Sequence, residues 1–252
     1  MKVLFGIFIG ILSVVVVLVL VAGYFGFVPG VSKIFGSDKP VDLGVTYTAA
    51  DSASGHAKGG MQILTLPVGT LPQQSLIFSG TKPASFNLTQ QEATAMINNN
   101  QWAYLPVSDV QVRFNADNTA EWSGIIKLDK LHDYALARGL TEEDYNNAIT
   151  QVSKYAVIQK NMPFYVKGTG SVVNGSITFN CDSLKIGRLP VELASQINDR
   201  KADLLNLLRK DILTIPGFTC KNLSVSNGQV HFDGTLPQSA SMVGISKVGN
   251  LK

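Results

Sequence analysis

The chain has 252 residues, 45% hydrophobic and 15% charged, with a formal net charge of +3. That is enough apolar material for one ordinary domain with its own core. The weak, dispersed positive charge, with no Lys/Arg run interleaved with aromatics, excludes a nucleic-acid groove.

From Val3 to Val28 there is no charged residue. As a helix these ~26 residues reach roughly 39 Å, more than a ~30 Å hydrocarbon core. A cleaved leader has a shorter apolar run, about 7–15 residues, before a small-x-small site. Here Ala22, Gly23 and Gly26 stand among bulky residues. Residues 1–29 therefore read as a transmembrane signal anchor. Lys2 on one side against Lys33 and Lys39 on the other barely orients it. The Asn-, Ser-, Thr- and Gly-rich remainder favours export. The expected location is the cell membrane, single-pass, with the C-terminal domain outside the cytoplasm.

Residues 30–60 read as a juxtamembrane linker broken by Gly30, Gly36, Pro40, Gly55, Gly59 and Gly60. Residues 61–237 read as the extracytoplasmic α+β domain and 238–252 as a C-terminal tail. Met61 to Leu66 and Ser75 to Phe78 are candidate strands. Thr89 followed by Glu92 is a capping box, so a helix begins there, with Ala93, Met96 and Ile97 on one apolar face. Val110, Val112 and Phe114 alternate with Gln111 and Arg113, and Asn115-Ala-Asp-Asn turns the chain into a return strand through Trp122 to Leu128. A helical region covers roughly 130–158, with Thr141 and Asp144 as a second cap. A hairpin then runs from Phe164 to Val173 and from Ser176 to Ile186 about Asn174-Gly175. Leu189-Pro190 opens what reads as the longest helix, its stripe Leu193, Ile197, Leu204, Leu208 and Ile212. The last hairpin, Phe218 to Val225, returns after Asn227-Gly228 through Val230 and Phe232.

These elements predict an α+β fold, antiparallel hairpins packed with long amphipathic helices. A helix carrying Ile-Asn (Ile97-Asn98, Ile197-Asn198) precedes both the first and the last hairpin, which suggests a duplicated α-β-β unit.

No catalytic constellation emerges. There is no Gly-x-Ser-x-Gly elbow, phosphate-binding glycine loop or His-Glu-x-x-His. His56, His132 and His231 have no companion at ligand spacing. Glu142, Glu143 and Asp144 suit the first turn of a helix. The expectation is a non-enzyme with no catalytic residues, no cofactor and no metal. Cys181 and Cys220, 39 residues apart, match no zinc signature; they are either a disulfide in an oxidising compartment or two small buried thiols. Asn87-Leu-Thr, Asn174-Gly-Ser and Asn222-Leu-Ser fit the glycosylation pattern.

Three stretches carry a family resemblance: Phe86 to Asn98, Val110 to Gly124, and Leu223 to Pro237. In them a strand enters a helix ending in Ile-Asn, and two hairpins return to Gly. Together they cover about a quarter of the exported part, and they resemble the YpmS-like and LmeA-like single-span envelope proteins. The resemblance implies one N-terminal span and, for some members, lipid binding. It brings no catalytic set. The expected function is a membrane-anchored extracytoplasmic binding protein for lipid or another amphipathic ligand, held in a groove of Leu, Ile, Val and Phe. A filled core is the commoner use of such residues. The alternative is an interaction module for an envelope protein or the cell wall, with no small-molecule ligand.

Overall fold

In the computed structural model the described residues are Leu20, 30–153, 161–187, 189–191 and 215–244. The expected anchor over 1–29 therefore lies outside the described residues, Leu20 excepted. Among the described residues no helix is long and apolar enough to cross a membrane.

The α+β expectation with long covering helices is corrected. Strands account for 45% of the described residues and the larger sheet curls into a half-barrel. Among the described residues the helices are short: α1 (Val31–Phe35), α2 (Ala49–Gly59), α3 (Gln90–Asn98), α4 (Leu131–Ala137) and α5 (Glu142–Ser153). Leu189-Pro190 starts no helix. Leu189–Val191 is a strand paired with Leu184 to Ile186, and its Pro190 is tolerated because the strand has one partner. The remaining stripe residues from Leu193 to Ile212 lie outside the described residues, as do 154–158. The second helix of the expected duplicated α-β-β unit, carrying Ile197-Asn198, therefore lies outside the described residues.

Among the described residues eleven strands form two sheets. The small one is β1 (Gln62–Leu66), β11 (Ser239–Val243) and β2 (Leu76–Ser79), with β11 in the middle, parallel to β1 and antiparallel to β2. Within the stretch read as a tail, then, lies a central strand. Its Ala240 and Met242 are buried with Trp102, whose indole N–H donates to Ser75 Oγ at 3.2 Å.

The large sheet holds β3 (Lys82–Thr89), β4 (Val107–Phe114), β5 (Ala120–Lys127), β6 (Asn161–Val173), β7 (Ser176–Ile186), β8 (Leu189–Val191), β9 (Thr219–Ser226) and β10 (Gln229–Leu236). All its pairings are antiparallel. The three hairpins legible in the sequence are β4–β5, β6–β7 and β9–β10. The 13-residue β6 organises them: β5 pairs with it from Asn161 to Gly168, and β9 takes over at Val172 and Val173. Bulges at Gly168 and Gly234 bend the sheet. A Cβ at Gly168 would collide with Asn180 O, and one at Gly234 with Thr219 O.

The region read as a linker contains two helices. α2 begins with its own capping box: Thr48 Oγ1 accepts from Asp51 N, and Thr48 N donates to Asp51 Oδ2 at 2.7 Å. Ahead of it, Leu43 and Val45 are buried, and both their N–H groups donate to Gln111 Oε1. α2 lies against α3 and is tied to it by Glu92. That carboxylate caps α3 at Thr89 and also accepts from Ser54 Oγ at 2.6 Å and Lys58 Nζ at 2.7 Å. Burial alone would raise its pKa, but the bonds from Lys58, Ser54 and Thr89 outweigh it and bring it down to about 2.

α3 in turn closes the free edge of β4. Thr94 Oγ1 accepts from Val112 N at 2.9 Å, and Asn98 both accepts from Val110 N at 2.9 Å and donates to Val110 O at 2.7 Å. Two side chains one helical turn apart thus do the work of a neighbouring strand.

Candidate functional site: the apolar face of the curled sheet

Successive side chains of a strand point to opposite faces, and cross-strand partners share a face. Following the registers across the large sheet sorts its side chains almost completely by polarity. Val110, Val112 and Phe114 of β4 share a face with Ala120, Trp122 and Gly124 of β5, then Phe164, Val166 and Val172 of β6. Ile177, Phe179, Cys181, Leu184 and Ile186 of β7 extend it on one side. On the other side come Leu223 and Val225 of β9, Val230 and Phe232 of β10, and Phe86 and Leu88 of β3. Phe232 stands between Phe86 and Phe218, with ring centroids 5.3 and 5.9 Å apart.

The opposite face is polar. It carries Arg113, Glu121, Ser123, Tyr165, Lys167, Lys185, Ser224, His231 and Asp233 at the same registers. Its most ordered cluster centres on Glu121. This buried carboxylate accepts from Arg113 Nη2 at 2.7 Å, Asn115 Nδ2 at 2.7 Å and Tyr165 Oη at 2.8 Å. Burial would raise the Glu121 pKa, and these bonds turn the shift downward. Tyr165 is pushed up to about 12, by burial and then by its bond to the Glu121 carboxylate. Lys185 sits 5.2 Å from the Tyr165 ring centre. The cluster is fully paired and joins strands β4, β5 and β6, which makes it a fastener of the sheet rather than a reaction centre.

The apolar face is not sealed in the same way. α3 covers its β4 end, where Ala93 and Ile97 pack on Val110, Val112 and Phe114. Phe232 and Cys181 are also buried, but most of its other large residues are half-buried, and Trp122 is 42% exposed. An antiparallel sheet ordinarily buries its apolar face and leaves the polar one wet. Here the apolar face offers a hydrocarbon-like surface with no charged side chain among these residues.

The residues weighed in the sequence are scattered. Cys181 is buried and Cys220 half-buried, and no disulfide joins them. They lie on β7 and β9, on opposite sides of β6, so about two strand spacings, ~10 Å, separate them laterally. A disulfide needs Cα atoms within roughly 7 Å, so the Cys181–Cys220 bridge is not formed in this arrangement. Burial raises the pKa of both thiols. His231 Nδ1 lies 2.8 Å from Asn87 Oδ1, and His56 is in α2. His132 bridges α4 and α5, 3.2 Å from Asp133 and 2.8 Å from Glu142. Glu143 and Asp144 occupy the first turn of α5, where Asp144 caps Thr141. Among the described residues no three His, Cys, Asp or Glu side chains converge to hold a metal. Of the glycosylation motifs, Asn174 stands in the exposed β6–β7 turn at φ 48°, while Asn87 and Asn222 lie in strands.

No family profile, curated protein or solved structure matches the chain.

Proposed function

We propose that this is a membrane-anchored extracytoplasmic protein that binds a lipid or similar amphiphile on the apolar face of its half-barrel. One observation carries the reading: a continuous apolar face over the large sheet, left half-covered, with Trp122 reaching solvent. Each large side chain moved from water to hydrocarbon contributes about 1.5–3 kcal/mol, so even a few contacts with an acyl chain give useful affinity. The uncharged stretch from Val3 to Val28 would keep the domain beside its ligand's source. Native mass spectrometry of the full chain, released from detergent, tests this. The expected result is a population carrying one co-purified amphiphile. A chain that stays ligand-free when offered lipid overturns the proposal.

A second reading has its own support. Among the described residues β1 pairs only with β11, and the small sheet and its loop expose Leu64, Ile77, Val68 and Leu71, the last two at 79% and 63%. A free edge beside exposed apolar residues can accept a partner strand. If the chain is an interaction module, Ile63→Lys in β1 abolishes partner capture, whereas Trp122→Lys leaves it intact.

A further inference from the structure

Where β4 begins and β5 ends, the chain leaves a cleft of about 210 Å³. Ile97, Asn98, Trp102 and Val107 form part of its wall, and Lys127 and Lys130 line it as well. Lys130 is held in place, its Nζ donating to Ala103 O at 2.6 Å. Lys127 makes no side-chain hydrogen bond or ion pair among the described residues, although its backbone N–H is fixed on Pro106 O at 2.8 Å. Burial, and then the charge of Lys127, lower the Lys130 pKa, with Asp129 acting in the opposite direction.

The one carboxylate in the wall, Asp109, bonds Ser108 Oγ at 3.0 Å and pairs with neither lysine. It marks the bulge between Ser108 and Gln111 and sits in the left-handed region, at φ 51°. The other three non-glycine residues with positive φ are asparagines in hairpin turns, so Asp109 is the unusual one; such conformations gather at binding sites.

The cleft adjoins the apolar face. Ile97 and Val107 line the cleft and also pack with Val110, Val112 and Phe114. Lys127 is the last residue of β5, roughly 17 Å along the strand from Trp122. One leaflet of a bilayer's hydrocarbon is about 15 Å deep, so one acyl chain spans a comparable distance.

We propose that this cleft receives a phosphate group, Lys127 and Lys130 holding the anion while the tail of the same amphiphile extends past Ile97 and Val107 onto the apolar face. This rests on the amphiphile-binding reading above and names the chemical class of the head group. A charge-assisted hydrogen bond contributes about 1.5–3 kcal/mol, which converts to a preference on the order of 10- to 100-fold for a phosphorylated head.

The test uses the full chain in a phosphate-free maltoside detergent, titrated calorimetrically with dioctanoyl phosphatidic acid, dioctanoylglycerol and inorganic phosphate. Phosphatidic acid should bind at least about 10-fold tighter than dioctanoylglycerol. Lys127→Gln should erase that difference, and Lys127→Arg, which keeps the cation, should retain it. Equal affinity for the two lipids overturns the head-group assignment and leaves the apolar-face reading standing. Saturable binding of inorganic phosphate, lost in Lys127→Gln, with neither lipid bound, overturns the apolar-face reading and leaves an anion cleft for free phosphate.

Discussion

Asn98 offers the sharpest test of how the sheet edge is closed. Its amide donates to Val110 O at 2.7 Å and to Thr94 O at 3.0 Å, and its oxygen accepts from Val110 N at 2.9 Å. Val110 is 2% exposed, so water does not replace those bonds readily. Asn98→Ala leaves one buried N–H and one buried C=O of β4 without a partner. At roughly 1–3 kcal/mol for each orphaned group, the loss should be about 2–4 kcal/mol after some relaxation. In urea unfolding, with a slope near 1–3 kcal/mol/M, the midpoint should fall by about 1–2 M. Asn99→Ala, at the exposed neighbour, is the control and should change stability by less than about 0.5 kcal/mol. Amide exchange at Val110 and Val112 gives a local readout. Both amides should be protected in the parent chain despite their place in an edge strand, and Val110 should lose protection in the variant. A loss below about 0.5 kcal/mol, with Val110 still protected, would refute the idea that α3 substitutes for a neighbouring strand.

Three further outcomes follow from the same geometry. Glu92 has a depressed folded pKa, so its contribution is complete above the unfolded value near 4.5 and is lost as pH falls toward about 2. Glu92→Gln should therefore lower stability at pH 7 and flatten the stability curve between those limits, measured by unfolding at each pH. His132 has a folded pKa raised by its bonds to Glu142 and then Asp133. Its clip is complete below the ordinary histidine value of 6.5 and is lost as pH rises through the raised one, so amide exchange in α5 should speed up across that window, and His132→Gln should remove the dependence. Cys181 and Cys220 should both be alkylated when the chain is unfolded without reductant, Cys181 reacting slowly in the folded state; failure to label either after unfolding would show that they pair.

Much of the sheet was legible because period-two alternation is a local signal. Val110, Val112 and Phe114 against Gln111 and Arg113 defined β4, and the pairs Asn174-Gly175 and Asn227-Gly228 located their turns at positive φ. The same alternation held the candidate site in β4, β9 and β10, whereas β7 changes parity at its bulge, from Ile177, Phe179 and Cys181 to Leu184 and Ile186. What the sequence could not show is that β6 joins the hairpins into one surface, because pairings such as Val172 with Leu223 are remote in the chain. α2 escaped for another reason. Ala49–Gly59 has small and polar residues and no apolar stripe, since Gly55 lies close to Glu92 and Met96 where a large side chain would not fit. Its Thr48–Asp51 box was the available signal. β11 was hidden in a Ser/Ala-rich stretch whose pairing with β1 spans most of the chain. Lys127 and Lys130 drew no notice as isolated lysines; only the bulge at Asp109 and the end of α3 bring them to one cleft.

The central claim, that an amphiphile lies on the apolar face, is tested most directly by the fluorescence of Trp122. The chain has two tryptophans, Trp102 at 5% exposure in the small cluster and Trp122 at 42% on the face. Titrating the full chain with an amphiphile brominated along its tail should quench the emission saturably, and Trp122→Phe should abolish the quenching while the Trp102 signal remains. Emission that stays unchanged at saturating amphiphile, or quenching that survives Trp122→Phe, would contradict it.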